Sequence, residues 1–212
     1  MFRKTILLFT VLFTHFSFSQ FNVNNLSIEA SYGYNGAIQP YSKKFNSNFS
    51  AFNHAEVSVR YMFSEWVGMK LAYKTDKFVN DPKGDIGTQY NSFGLGLLYN
   101  IGKKLGLSYW TRDRLGILVH GDASLGFASS LPLNGKTEKT PILGLGITPM
   151  YKINNKLAFT TDFTYNTNLK QYYGFDGYPL SNQKGTQKGS FYNFSVGLIY
   201  YLGENKYHSD WY

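Results

Sequence analysis

The sequence predicts an all-β fold, a transmembrane antiparallel up-and-down β-barrel of eight strands. Apolar residues alternate with polar or small residues in eight segments, which is the period of a strand with two different faces. Aromatic residues make up 18% of the chain, and many lie near segment ends, where membrane-interface belts are found. Long polar links alternate with short ones, as the outer loops and periplasmic turns of such barrels do.

The N-terminus has the organisation of a secretory signal peptide. Two basic residues precede an apolar run from Thr5 to Phe13, and small and polar residues follow up to Gln20. The run is about half the length of a membrane-spanning helix, which requires about 20 apolar residues. We therefore expect cleavage before Gln20. The expected organisation is a signal peptide at 1–19, an outer-membrane barrel at 20–203 and a short periplasmic tail at 204–212.

The first four segments each have one apolar face, which we assign to lipid. In chain order these faces are Leu26, Ile28, Ala30, Tyr32 and Tyr34; Ala55, Val57, Val59, Tyr61 and Phe63; Val67, Met69, Leu71 and Tyr73; and Phe93, Leu95, Leu97, Tyr99 and Ile101. The interleaved residues are small, polar or charged, as expected for a narrow lumen.

The last four segments repeat the pattern. Their apolar faces are Leu115, Ile117, Val119, Leu125 and Phe127; Leu143, Leu145, Ile147 and Tyr151; Leu157, Phe159, Phe163 and Tyr165; and Tyr192, Phe194, Val196, Leu198, Tyr200 and Leu202. Each segment has about the 9–11 residues that a tilted strand needs to cross a bilayer. A secreted soluble sandwich also alternates, but its second face would be strongly hydrated, whereas here that face carries mostly Gly, Ser, Thr and Asn.

The links between segments predict the orientation of the barrel. The long links are 37–53, 77–91, 129–139 and 170–190, and the short ones are 64–66 and 154–156. The link at 102–114 is long for a turn, and we interpret it as a strand extension followed by a periplasmic excursion. With an even number of strands, both termini lie in the periplasm.

The final segment, from Phe191 to Leu202, resembles the assembly signal of outer-membrane barrels, in which a Gly precedes alternating apolar residues. With the signal peptide and the eight segments, it makes residues 21–203 similar to the OmpA-like outer-membrane β-barrel family. This resemblance implies insertion into the outer membrane of a Gram-negative bacterium by the barrel assembly machinery. Because only a short stretch follows Gly203, we expect the peptidoglycan-binding domain of larger members to be absent.

An eight-stranded barrel is just wide enough for side chains to fill its interior, which argues against a general porin. The short turn at 64–66 sets the expected register. It places Arg60 opposite Lys70, Glu56 opposite Lys74, and His54 opposite Asp76, and matching strand ends places Glu29 beside Arg60. The expected lumen charge network is Glu29, Glu56, Arg60, Lys70, Lys74, Asp76, Asp122 and Asp162. It either holds the lumen together or lines a gated, ion-selective path.

Catalytic chemistry has little support in the sequence. His120 and Asp122 share one lumen face, as in a catalytic pair, but a lipid substrate could not reach the middle of the lumen. His54 and Asp76 are too few ligands for a metal site. The sequence therefore predicts no enzyme activity, no cofactor and no metal.

We expect a structural or interaction protein whose long outer loops or barrel wall bind partner proteins or surface glycan. The alternative is a small transport channel or a lipid-modifying enzyme. The expected partners are outer-membrane lipid, lipopolysaccharide and a protein of an envelope complex, and not nucleic acid. A basic and aromatic outer rim would bind anionic groups, although its lysines could also only keep the loops soluble. This rim comprises Lys43, Lys44, Tyr172, Tyr173, Lys184 and Lys188.

Overall fold

The computed structural model describes residues 22–40, 49–80, 85–180, 187–203 and 208–211. The expected signal peptide at 1–19 lies outside these ranges and stays a prediction. Eight strands make up most of the described chain. They are β1 (Leu26–Gln39), β2 (Ser50–Met62), β3 (Val67–Val79), β4 (Gly87–Asn100), β5 (Leu115–Ser130), β6 (Thr137–Lys152), β7 (Leu157–Gln171) and β8 (Gln187–Tyr201).

The strands form one closed barrel in which each strand pairs with its neighbours in sequence. Every pairing is antiparallel, and β1 pairs with β8 to close the barrel. The predicted eight-stranded up-and-down barrel is therefore confirmed. The strands have 13–16 residues, which is longer than a bilayer crossing requires, because they continue beyond the membrane into the expected outer loops.

The two ends of the barrel differ. At one end, which we call the terminal end, β1 begins, β8 finishes, and short links join β2 to β3 and β6 to β7. At the other, the loop end, the links are shorter than expected. The link between β3 and β4 spans 80–86 and that between β5 and β6 spans 131–136. Short turns face the periplasm in outer-membrane barrels, which places the terminal end on that side.

The expected strand extension at 102–114 is wrong. β4 ends at Asn100, and two short helices follow, Ile101–Lys104 and Leu107–Thr111. The Asn100 side chain accepts a hydrogen bond from the Lys103 backbone N–H at 3.0 Å, which caps the first helix. Gly106 adopts a left-handed conformation with φ of 65° between the two helices. Within the described ranges, no helix has the length and hydropathy needed to cross a membrane.

The outward face of the barrel is an apolar belt. Side chains such as Leu97, Leu145 and Phe93 are more than half exposed, and most of their mid-strand neighbours on this face are apolar, with Thr161 of β7 as an exception. A continuous exposed apolar surface of this kind would be a liability in water but suits the hydrocarbon of a bilayer. The predicted lipid-facing residues that belong to the eight strands lie on this face. The exceptions are Ile101, which begins the first short helix after β4, and Phe63 and Leu202, which follow the ends of β2 and β8.

The inward face divides into three zones along the barrel axis. An apolar cluster fills the terminal end, a polar and charged zone fills the middle, and an aromatic cluster fills the loop end. The terminal cluster comprises Met62, Leu98, Leu118, Met150, Ala158, Ile199, Tyr201 and Trp211. The loop-end cluster comprises Phe49, Phe78, Tyr90, Ala128, Ile142, Phe175 and Phe191.

Candidate functional site

Six ionisable groups form a continuous chain across the middle of the lumen, which we call the charge ladder. Acids and bases alternate along it, and each contact is at hydrogen-bond or ion-pair distance. In order the contacts are Lys70 to Glu56 at 3.0 Å, Glu56 to Lys74 at 3.3 Å, Lys74 to Asp122 at 3.1 Å, Asp122 to His120 at 3.1 Å, and His120 to Asp162 at 3.0 Å.

The register of β2 and β3 brings the first half of the ladder together. Glu56 lies directly opposite Lys74, and Arg60 lies opposite Lys70, as the turn at 64–66 predicts. Glu56 contacts both lysines, because Lys70 and Lys74 project from the same face of β3. A buried carboxylate between two ammonium groups is compensated, which is what burial of charge in a narrow lumen requires.

Glycines in β4 allow the second half of the ladder to form. Lys74 on β3 reaches across β4 to Asp122 on β5. The inward positions of β4 along this route include Gly94 and Gly96, and a Cβ at Gly96 would overlap the Asp122 carboxylate. The structure shows that these glycines provide the room that the charged side chains of β5 occupy.

His120 is fixed by two carboxylates at once. Its Nδ1 lies 3.1 Å from Asp122 and its Nε2 lies 3.0 Å from Asp162, and the ring is completely buried. Asp162 also accepts hydrogen bonds from the Thr148 and Thr164 hydroxyls. With both ring nitrogens occupied, His120 has no free nitrogen to offer a substrate as a general base.

A second polar group lies nearer the loop end. His54 Nδ1 is 2.8 Å from the Asp76 carboxylate, and the Asn193 and Asn35 amides donate to the same carboxylate oxygen at 2.7 and 3.3 Å. His54 lies opposite Asp76 in the strand register, as expected. Within the described residues, no cluster of three or more His, Cys, Asp or Glu side chains could hold a metal ion.

The main partner of Arg60 is a residue that sequence reasoning missed. Ser27, and not Glu29, lies opposite Arg60 in the β1–β2 register, so the expected position of Glu29 is wrong by two residues. Glu29 still forms a long ion pair with Arg60 at 3.7 Å. The shorter ion pair, at 2.7 Å, is made by Asp210, which follows the barrel in sequence.

Residues 208–211 therefore fold back into the terminal end of the lumen, and we call them the terminal plug. The Tyr201 hydroxyl donates to the Asp210 carboxylate at 3.0 Å, and the Asn100 amide donates to the Asp210 carbonyl at 3.1 Å. Trp211 packs in the terminal apolar cluster. The tail was expected to be a simple periplasmic extension, but its described part is buried and closes this end of the lumen.

The environment of Asp210 favours its ionised form. Burial raises the pKa of the Asp210 carboxyl, but Arg60 and His208 lower it by more, and the hydrogen bond from Tyr201 lowers it further. The net effect is a pKa well below the ordinary value of 3.8. Asp210 is therefore a carboxylate at neutral pH, matched to a buried guanidinium.

The loop end is closed by the segment after β7, residues 172–180, which we call the loop plug. Its Phe175 ring inserts among Phe78, Tyr90 and Phe191, with ring centroids 4.8–5.9 Å apart. The Thr88 and Ser130 hydroxyls donate to backbone carbonyls of the segment at 2.7 and 2.6 Å. Backbone hydrogen bonds and aromatic packing together hold the segment across the mouth of the barrel.

The predicted outer rim is only partly formed by the residues assigned to it. Lys43, Lys44 and Lys184 lie outside the described residues. Tyr173 is buried, because its backbone N–H and that of the half-buried Tyr172 donate to the Glu138 carboxylate and draw both residues into the loop plug. Lys188 is exposed near the start of β8. Phe49 and Phe175, which belong to the predicted outer links 37–53 and 170–190, are also completely buried.

The chain has similar solved structures but no match by sequence. No protein-family model matches the sequence, and no curated protein matches it either. The structure is similar to that of neisserial surface protein A, with a TM-score of 0.56 and 15% identity over 84% of this chain and 97% of that one. It is also similar to a major outer membrane protein from Thermus thermophilus, with a TM-score of 0.52 and 13% identity over 82% and 97% of the two chains.

The similarity at such low identity concerns the fold. Both solved structures are covered almost completely, so the whole barrel corresponds and not one hairpin of it. The outward apolar belt of this chain suits the same membrane setting. The chain therefore has the fold of the small eight-stranded outer-membrane β-barrels, the fold that its resemblance to the OmpA-like family implies.

Proposed function

We propose that the protein is a closed, non-enzymatic outer-membrane barrel that acts as a structural or interaction protein at the cell surface. One observation supports this most directly. The lumen is occupied at three successive levels, by the terminal plug, the charge ladder and the loop plug. A barrel filled in this way has its outer surfaces, and not its interior, available for function.

Closure of the lumen argues against the transport alternative. A conducting path would need to pass Phe175 at one end, the alternating ion pairs in the middle, and Arg60 with Asp210 at the other. The charges of the ladder contact one another, so they are not free to coordinate a passing ion in place of water. The ladder thus serves to hold strands on opposite parts of the wall together.

The burial of His120 argues against the enzyme alternative. Its ring is inaccessible, and both nitrogens already contact carboxylates. A lipid substrate would approach from the outer wall, whereas the imidazole points into the lumen. We therefore assign His120 a structural role within the ladder.

The loop end provides a basic outer surface for interaction. Four lysines of the described chain are exposed there, in the β5–β6 link, on β6, near the end of β7 and near the start of β8. They are Lys136, Lys139, Lys170 and Lys188. Lysine ammonium groups at this height suit the phosphates of lipopolysaccharide or an acidic surface partner. Lys43, Lys44 and Lys184 would add to this surface if the expected rim forms.

Recording from planar lipid bilayers tests the closed lumen. We expect no large, stable openings from the purified full-length protein, because three layers of side chains occupy the lumen. Recordings with long-lived openings of uniform size would reject the closed barrel and favour transport. A porin reconstituted in parallel shows that the bilayers report open channels.

Binding to lipopolysaccharide tests the interaction role. We expect Lys136→Gln, Lys139→Gln, Lys170→Gln and Lys188→Gln, combined in one variant, to fold normally and to bind lipopolysaccharide more weakly. The loss should be larger at low salt, since surface charges are screened at high salt. A matched control carries Lys104→Gln, Arg112→Gln and Arg114→Gln at the terminal end. Equal binding by the wild type and the lysine variant would place the function elsewhere on the barrel.

A further inference from the structure

The outer wall carries an apolar pocket close to the terminal end. It has a volume of about 330 Å³ and opens towards the lipid side of β5, β6 and β7. Its walls include Leu107, Leu115, Ile117, Pro149, Tyr151 and Phe159. Leu107 comes from the second short helix after β4, so this helix forms one side of the pocket. The volume lies within the range of small-ligand sites, about 300–1,000 Å³.

A basic side chain borders this pocket, and two others lie in the same segment of chain. The Arg114 guanidinium donates a hydrogen bond to the Tyr151 hydroxyl at 3.1 Å, which places a cation at the pocket edge. Lys104 and Arg112 are exposed in the same segment. Lys103 forms an ion pair with Glu65, but none of Lys104, Arg112 and Arg114 is paired with an acid among the residues that the structure describes. Arg114 therefore lies at the edge of an apolar pocket, and the exposed Lys104 and Arg112 lie in the same segment of chain.

The same segment exposes large amphipathic side chains. Tyr109 and Trp110 are 85% and 78% exposed, and Leu105 is also exposed. Such residues are unfavourable in water but are typical of the boundary between lipid headgroups and acyl chains. The segment leaves the barrel at the height where the lipid-facing strand residues begin, which is where this boundary lies.

We propose that this surface is a binding site for one anionic phospholipid of the membrane leaflet at the terminal end. An acyl chain occupies the pocket, and the phosphate lies among Lys104, Arg112 and Arg114. The ligand must be amphipathic, because the Arg114 guanidinium lies at the edge of the apolar pocket, and it must be anionic, because Lys104, Arg112 and Arg114 form no ion pair with the described acids. This site is separate from the loop end, where the proposed lipopolysaccharide surface lies.

Native mass spectrometry of the full-length protein tests the proposal. The protein is mixed in detergent with equal amounts of phosphatidylglycerol and phosphatidylethanolamine, and retained lipid is identified by mass. We expect one retained phosphatidylglycerol per barrel. The variant carrying Lys104→Gln, Arg112→Gln and Arg114→Gln should lose roughly tenfold or more of this preference, since each basic residue near an anionic surface contributes about fivefold. Equal retention of both lipids by the wild type would overturn the proposal.

Two further variants test the contributions of the pocket and of the charges separately. Thr161→Phe, at a position that lines the pocket, should reduce retention of phosphatidylglycerol although every cation remains. The four-lysine variant of the loop end should retain phosphatidylglycerol as the wild type does. The difference in gel mobility between heated and unheated samples shows that each variant is folded. The proposed site would be contradicted if Thr161→Phe retained as much phosphatidylglycerol as the wild type, or if the loop-end variant lost it.

Fluorescence quenching in vesicles locates the segment. With Trp66→Phe and Trp211→Phe, Trp110 is the only tryptophan left in the chain. We expect brominated phosphatidylglycerol to quench it more strongly than brominated phosphatidylcholine, and the triple charge variant to abolish this difference. Absence of quenching by either lipid would show that the segment faces water, as a site for a periplasmic protein would, and would overturn the proposal.

Discussion

Arg60 requires a compensating charge in the lumen, because its guanidinium is buried completely among apolar and polar neighbours. Asp210 compensates its charge at 2.7 Å, and the more distant Glu29 contributes at 3.7 Å. An unpaired charge at this depth would cost several kcal/mol, so the guanidinium and the terminal plug depend on each other. The ion pair thus couples the tail to the barrel.

We expect Asp210→Ala to destabilise the barrel by about 3–5 kcal/mol, because it leaves a buried guanidinium with only a distant partner. Combining it with Arg60→Met should cost less than the sum of the two single changes, with a coupling of about 0.5–3 kcal/mol. Urea unfolding of the protein in lipid vesicles measures both. A double-mutant cycle of Glu29 and Arg60 is the matched comparison, and these two residues should show weaker coupling than Asp210 and Arg60. Additive losses for Arg60 and Asp210 would mean that they are not partners.

The binding of the terminal plug in the lumen should also depend on pH. The pKa of Asp210 is lower in the folded protein than its ordinary value of 3.8. Its contribution to stability is therefore complete above that value and is lost as the pH falls below it towards the folded-state pKa. We expect Trp211 fluorescence, measured in a variant with Trp66→Phe and Trp110→Phe, to report release of the plug only below about pH 4. Asp210→Asn should remove this dependence, and a transition near neutral pH would point to another group.

At the scale of the strand, glycines differ in the reason for their presence. A Cβ at Gly146 of β6 would overlap the His120 imidazole, which two carboxylates hold in place. A Cβ at Gly121 of β5 would point to the lipid side and would meet only a Leu145 methyl group, at the ordinary distance of 3.6 Å. The lumen therefore requires a glycine at the first position, and the barrel does not require one at the second.

This difference gives a matched pair of substitutions. Gly146→Ala should cost about 1–3 kcal/mol, since either the imidazole or a strand must shift. Gly121→Ala should change stability by no more than about 0.5 kcal/mol. Urea unfolding of the two variants under the same conditions measures the contrast. Equal losses would show that the ladder adjusts freely and is not close-packed around His120.

The outward face of a strand should reject charge. Leu97 lies on the lipid side of β4 and is 65% exposed, so Leu97→Arg should cost about 2–4 kcal/mol and impair insertion. Gln187→Arg, at an exposed position near the loop end, should stay within about 0.5 kcal/mol. Folding yield into vesicles and urea unfolding measure the effect. Comparable tolerance at both positions would refute the assignment of the lipid face.

The alternating pattern was sufficient to predict which way side chains point along every strand, because a strand has a period of two residues. It did not predict where strands end, since polar residues such as Ser129 and Ser130 extend β5 beyond the membrane. It also failed at 101–114, where Asn100 and Gly106 specify two helical turns that have no strand period.

For the whole molecule, the closing of the barrel ends could not be inferred from pattern. Arg60 and Asp210 are 150 residues apart in sequence, and only closure of the barrel brings them together. Phe175 carries no local signal that distinguishes a buried plug from an exposed loop contact, because its burial depends on Phe78 from the distant strand β3 as well as on Phe191 from β8. By contrast, the pairings of β2 with β3 followed from one short turn.

The three levels of closure act in series, which makes a prediction about the whole barrel. Phe175→Ala removes the central ring of the loop plug, and truncation after Gly203 removes the terminal plug, yet each change leaves the charge ladder across the middle of the lumen. We therefore expect neither change alone to produce stable conductance in planar bilayers, although the truncated protein should unfold at lower urea concentration because Arg60 loses Asp210. Adding Lys74→Ala and Asp122→Ala to the two changes removes a central contact of the ladder and should admit small ions. Large, stable openings from the truncation alone would show that the terminal plug is the only barrier and that the ladder surrounds an open path.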